Sequence, residues 1–240
     1  MGAAGPQTAT LKSAFQIAWP ASLAAIVTPL LGLIDAGVMA RAAPQDTLAG
    51  ASLAAAVFSL LYWTFGFLRI SLSGLTAQAH GAQDEFRLRS HLVQGAALGA
   101  GVGLLLTVLG GPITALAQLV LVETTAASSG AGDAMTTYIK VRLLAAPFVL
   151  ATYAALGWFT GQGRTGLLML VTTSMAAINA GLSILLVLHF DFGITGLATA
   201  TAIAEVSGAL IAGAGVAYVL SRRGGLITGW SIKALLSDAG

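Results

Sequence analysis

The chain has 240 residues, of which 57% are hydrophobic and only 8% are charged, for a formal net charge of +2. An ordinary soluble domain carries about 25% charged residues, so this composition excludes a soluble globular enzyme, a nucleic-acid-binding domain and a disordered chain. It also excludes a β-barrel, whose strands alternate and hold far less apolar character per segment than a chain of mean hydropathy +0.88.

A bilayer-crossing helix needs roughly 20 mostly apolar residues. The first charge-free run lies between Lys12 and Asp35 and predicts a helix over 15–40, with Pro20 and Pro29 inside it. It is too long for the apolar core of a cleaved leader, so it is expected to be a retained first helix. The second predicted helix covers 48–72 and continues as a polar tail to Gln78. A charged loop is expected next, from His80 to His91, through Asp84, Glu85, Arg87 and Arg89. The third span, 92–122, is long, and Gly110-Gly111-Pro112 is expected to break it. Residues 124–133 are rich in Ser, Gly and Ala and read as a loop. The fourth, fifth and sixth spans are expected at 138–160, 167–188 and 194–220. The tail carries Arg222, Arg223 and Lys233, and 230–236 has the pattern of a short interfacial helix. The fold class is therefore all-α: a polytopic membrane protein with six transmembrane helices. A cytoplasmic segment (1–14) and a cytoplasmic tail (221–240) flank the helical lobe (15–220).

Basic residues set the orientation. With the N-terminus in the cytoplasm, Lys12, Arg69, Arg87, Arg89, Arg164, Arg222, Arg223 and Lys233 fall inside. Arg41, Lys140 and Arg142 fall outside. Both termini are thus expected on the cytoplasmic side of the inner (plasma) membrane. Gly95, Gly99 and Gly103, and again Gly157 and Gly161, recur at four-residue steps that let helix backbones approach closely.

Cysteine is absent, which removes disulfides and thiol chemistry. No phosphate-binding loop occurs, and His80, His91 and His189 lack metal-ligand spacing. The residues that matter are those that are costly in lipid. Asp35 is a carboxylate within the first span, at an insertion cost of about 2.5–3.5 kcal/mol or more. It either caps the outer end and reaches water near Arg41, or serves an enclosed ion or proton site. Pro29 and Pro20 precede it as static kinks or as a hinge. Asn179 and Ser183 share a face of the fifth span, and Thr199 and Thr201 sit in the outer half of the sixth. Such groups are interhelical glue when isolated and suggest a polar cavity when they converge. Glu205, near the middle of the sixth span, needs a partner or a cavity. Arg69, Lys140 and Arg142 lie near enough to helix ends to snorkel.

Three segments resemble the MATE (multidrug and toxic compound extrusion) transporter family. They are Phe67-Leu68-Arg69 through Gly74-Leu75-Thr76-Ala77-Gln78-Ala79-His80-Gly81-Ala82; Tyr138-Ile139-Lys140-Val141-Arg142 with Pro147, Gly157 and Gly161-Gln162-Gly163; and Ile178-Asn179-Ala180-Gly181-Leu182-Ser183 through Phe192-Gly193-Ile194-Thr195-Gly196-Leu197-Ala198-Thr199-Ala200. Asp35, fifteen residues after Pro20, matches the family's first-helix proline and acid. The resemblance implies antiport of drugs or organic cations against H⁺ or Na⁺ by two six-helix lobes. It also implies a first-lobe ion site at Asp35, Asn179 and Thr201. At the remaining position, where many members have Asp, this chain has Ser183. The expectation is an N-terminal lobe, lacking its C-terminal partner lobe or working as a homodimer. Its partners would be the lipid bilayer and a cationic or amphipathic small molecule, with no nucleic acid and no cofactor beyond the coupling ion. The alternatives are a non-transporting scaffold or remnant, and a flippase of lipid-linked precursors.

Overall fold

The computed structural model of the protein describes residues 18, 19, 22, 23, 26, 32–41, 45–125 and 127–223. All regular structure among these residues is helical. In chain order the elements are α1 (32–41), α2 (Gln45–Thr64), α3 (Gly66–Gly81), α4 (Glu85–Val108) and α5 (Gly110–Ala117). A π-helical turn (Gln118–Val122), α6 (Glu123–Thr125), α7 (Ser129–Leu143), α8 (Ala146–Gly161) and α9 (Thr165–Ser183) follow. A second π-helical turn (Ile184–His189) leads to α10 (Gly193–Ser221).

Four helical runs are long and apolar enough to cross a bilayer: Gln45–Gly81, Glu85–Val108, Thr165–His189 and Gly193–Ser221. The pair α7–α8, bent by 57°, forms a fifth. α1 is the described part of the first expected span. Pro20, Pro29 and the tail helix expected at 230–236 lie outside the described residues.

Three expectations are corrected. The charged stretch from His80 to His91 is mostly helix, and only 82–84 turn. Gln83 takes the left-handed conformation (φ +56°) that closes α3. The Asp84 carboxylate then accepts the Arg87 N–H at 3.0 Å and caps α4. Glu85 in the first turn complements the helix dipole. Second, the loop expected over 124–133 is already helical from Ser129, because the Ser128 hydroxyl accepts the Ala131 N–H at 3.2 Å. That hydroxyl also donates to Asp46 Oδ1 at 2.7 Å, which ties α7 to the first turn of α2.

Third, the fourth span starts at Ser129 rather than Tyr138 and is broken at 144–145. Pro147, in the first turn of α8, has no N–H to offer, and its ring excludes a helical bond to the Leu143 carbonyl. That carbonyl instead accepts the Thr107 hydroxyl of α4 at 2.7 Å.

α8 is wedged between α3 and α4, and the glycine steps allow it. A Cβ on Gly99 or Gly103 would come within 2.5 Å of Leu150 O or 2.4 Å of Pro147 Cα. One on Gly157 or Gly161 would lie 2.5 Å from Arg69 O or Ser73 O. Turns 82–84 and 162–164 and the C-terminus of α10 share one end of the bundle, the basic end, with Arg87, Arg89, Arg164, Arg222 and Arg223. Two apolar cores divide the bundle along its length. One, around Leu88, Trp158, Phe159 and Leu220, lies toward the basic end. The other, around Phe58, Met135, Tyr138 and Ile139, lies toward the opposite end.

Candidate functional site

Asp35, Asn179, Ser183 and Thr201, from the first, fifth and sixth spans, meet within the half of the bundle away from the basic end, whereas Thr199 does not join them. Asp35 is not a cap, because α1 continues past it to Arg41. Its Oδ1 lies 2.9 Å from the Ser183 hydroxyl. Ser183 Oγ is also 2.9 Å from Asn179 Oδ1, one turn back on α9. Asn179 Nδ2 donates to Thr201 Oγ1 on α10 at 3.1 Å, and Thr201 donates onward to Leu197 O at 3.1 Å. The Tyr138 hydroxyl of α7 stands 3.4 Å from Thr201 Oγ1. Asn179, Ser183 and Thr201 are buried, and Asp35 is half-buried. α9 passes into a π-helical turn directly after Ser183, an irregularity that recurs at functional positions in helices.

Proton counting gives this row a direction. Ser183 has one hydroxyl proton and two oxygen neighbours at equal distance. Both contacts are hydrogen bonds only if Asp35 carries a proton and donates to Ser183, which then donates to Asn179 Oδ1. With Asp35 ionised, Ser183 donates to the carboxylate. The Asn179–Ser183 contact then survives as a hydrogen bond only if the amide turns over, so that its NH₂ donates to Ser183 and its oxygen accepts the Thr201 hydroxyl, which leaves Leu197 O. A proton on Asp35 is in this way linked to an amide orientation two residues away.

Glu205 has a partner. Arg142 Nε and Nη2 lie 3.0 and 2.7 Å from Glu205 Oε1. Tyr138 and Arg142 are one turn apart on α7, and Thr201 and Glu205 are one turn apart on α10. The two helices therefore meet in two rungs, Tyr138 with Thr201 and Arg142 with Glu205. This corrects the expectation that Arg142 snorkels to a helix end. The guanidinium is enclosed by Phe58, Tyr62 and Tyr138, with ring centroids 4.3, 5.4 and 5.9 Å away. The quadrupoles of the ring faces attract a cation that lipid would not. Lys140 and Arg69 are exposed.

The site thus contains residues that sequence reasoning left out: Tyr138, Arg142, Phe58 and Tyr62. The signal was the matched four-residue spacing of Tyr138/Arg142 and Thr201/Glu205. No cluster of three or more His or acidic groups able to hold a metal occurs among the described residues.

The MatE family model matches residues 20–185. DNA damage-inducible protein F of Escherichia coli (strain K12) is 33% identical over 228 residues, covering 94% of this chain and 48% of that protein. Among solved structures, a MATE family transporter of the MOP superfamily in an outward-facing conformation aligns at a TM-score of 0.77 and 21% identity. That alignment covers 92% of this chain and 49% of that one. A MOP superfamily transporter from Pyrococcus furiosus gives 0.79 at 21% identity, over 92% and 48%. A MATE in the bent conformation gives 0.79 at 22% identity, over 95% and 50%.

The chain belongs to the MATE family. It spans about half the length of the relatives it matches, and the 21–22% identity of the solved structures makes that likeness one of fold.

Proposed function

We propose that this chain is the N-terminal six-helix lobe of a proton-coupled antiporter for cationic or amphipathic small molecules. In this reading it works in the inner membrane with its basic end in the cytoplasm, beside a C-terminal lobe or a second copy of itself. The observation that carries the reading is the row Asp35–Ser183–Asn179–Thr201, which joins three helices through hydroxyl and amide groups. A carboxylate in this setting has two useful states. Ionised, it attracts a cationic substrate. Protonated, it donates to Ser183 and releases that attraction. Ser183 brings no charge where many family members have a second carboxylate, so Asp35 is the row's only acid. That favours H⁺ over Na⁺, which needs several hard oxygen ligands and countercharge. Pro29 is the proposed hinge that moves Asp35 between environments.

The test is efflux of a cationic dye from proteoliposomes holding the complete two-lobe assembly, driven by a pH gradient. Asp35→Asn, which is neutral at every pH, is expected to weaken binding of the cationic dye and to abolish the response to the gradient. Unchanged gradient-driven efflux would remove Asp35 from the mechanism. A requirement for Na⁺ in the wild-type assembly would overturn proton coupling.

A further inference from the structure

At the basic end, away from the Asp35 row, a cavity of about 420 Å³ opens between α3 and α4. Its polar walls are Gln78 on α3, Asp84 in the turn, and Arg87, Ser90, His91 and Gln94 on α4. The α4 residues recur at three- and four-residue steps, so a single face supplies them all. Leu75 closes the membrane side and is itself 43% exposed. Ser90 is 6% exposed, lines this cavity, and its hydroxyl has no hydrogen-bond partner. Arg87 contacts Asp84 only at 3.4 Å, with two-thirds of its side chain exposed. That pair is weak, so both groups are open to a third partner.

The wall chemistry is sorted by charge. Arg87, His91, Gln78 and Gln94 can donate to a phosphate. Asp84, whose Oδ1 caps α4, keeps acceptor capacity on its other oxygen for an ammonium. The cavity lies at the basic end of the α3–α4 hairpin, whose flank exposes Phe67, Ile70 and Leu98. We infer that this cavity binds the headgroup of an amine-bearing phospholipid, with the phosphate on Arg87 and His91 and the ammonium on Asp84. The acyl chains would lie along the exposed apolar flank of α3 and α4. The inference is independent of Asp35 and of transport.

The test is native mass spectrometry of the purified, delipidated chain titrated with phosphatidylethanolamine and, separately, phosphatidylglycerol. The wild type is expected to retain the ethanolamine lipid better. Arg87→Gln with His91→Gln should weaken both by about tenfold, the effect of losing a charge-assisted contact. Asp84→Asn, which preserves the helix cap, should erase only the preference for the amine. Melting temperatures of the variants report folding. Equal retention by wild type and the Arg87/His91 variant at equal melting temperature would overturn the site. If Asp84→Asn leaves the preference intact, the ammonium assignment is overturned. Soluble phosphoethanolamine should displace little lipid. Full displacement at matched concentration would overturn the lipid and leave a free phosphate ester as the ligand.

Discussion

The two halves of the bundle handle polarity in opposite ways. Toward the basic end the core is apolar, built on Trp158, Phe159, Leu88 and Leu220, and the charges gather at the rim, where Arg89 is itself buried but reaches Glu85 at 3.6 Å. There Arg223 bonds to Glu85 and approaches His80 at 3.4 Å, and Arg89 donates to the Arg223 carbonyl at 2.9 Å. The buried polar hydrogen of Trp158 is absorbed locally, by Leu88 O at 2.8 Å. Toward the opposite end, the Arg142–Glu205 ion pair sits against the rings of Phe58, Tyr62 and Tyr138, and a carboxylate, an amide and hydroxyls form the adjoining row. One half is stabilised by apolar packing and tolerates water at its edge. The other holds groups that packing alone would never select. A buried ion pair contributes little net stability and often less than an apolar substitute, so its presence in this half points to function.

That contrast can be broken experimentally. The largest effect is expected at Arg142. Arg142→Met strands Glu205 as an unpaired buried charge and should cost about 3–5 kcal/mol in unfolding free energy. Arg142→Met with Glu205→Leu should recover most of it. If the single variant is as stable as the double, the pair is not enclosed as described. Next comes the helix wedge: Gly103→Leu pushes α8 from α4 and should cost about 1–3 kcal/mol by overpacking, whereas Gly101→Leu, which meets no neighbour, should be nearly neutral. A thermal melt of both variants decides this. Trp158→Phe should cost about 1–2 kcal/mol through the lost bond to Leu88 O and the volume removed. The smallest effect is expected at the rim, where Arg223→Ala should lie below about 1 kcal/mol because Glu85 is half-exposed. A large loss there would contradict the division between rim and interior.

A sharper comparison uses transport. Ser183→Asp adds a second carboxylate to the row. Efflux by the two-lobe assembly should then acquire Na⁺ dependence, read as a change in rate when K⁺ replaces Na⁺.

Much of the fold was legible because lipid imposes one solution, a helix, on any long uncharged run. The polar row was legible in part for the same reason: Asp35, Asn179 and Thr201 stand out against apolar neighbours. Helix starts were misread where charge, or a stretch rich in Ser, Gly and Ala, was equated with loop. Asp84 and Ser128 are caps, and the charged residues after Asp84 lie on a helix face. Arg142 was misread because distance along the chain suggested a helix end. The break at Pro147 and the extension back to Ser129 place it deep between α2 and α10 instead. The wedge of α8 was not legible, because glycine steps mark a close approach without naming the partner.

The central claim is that Asp35 holds an exchangeable proton donated to Ser183. The direct measurement is the infrared carbonyl stretch of protonated carboxylic acids, recorded across a pH titration of the purified protein. The account predicts a band that Asp35→Asn removes and that Ser183→Ala shifts toward the frequency of a free acid. Identical spectra for wild type and Asp35→Asn over the whole titration would mean that Asp35 never takes up a proton there, and would contradict it.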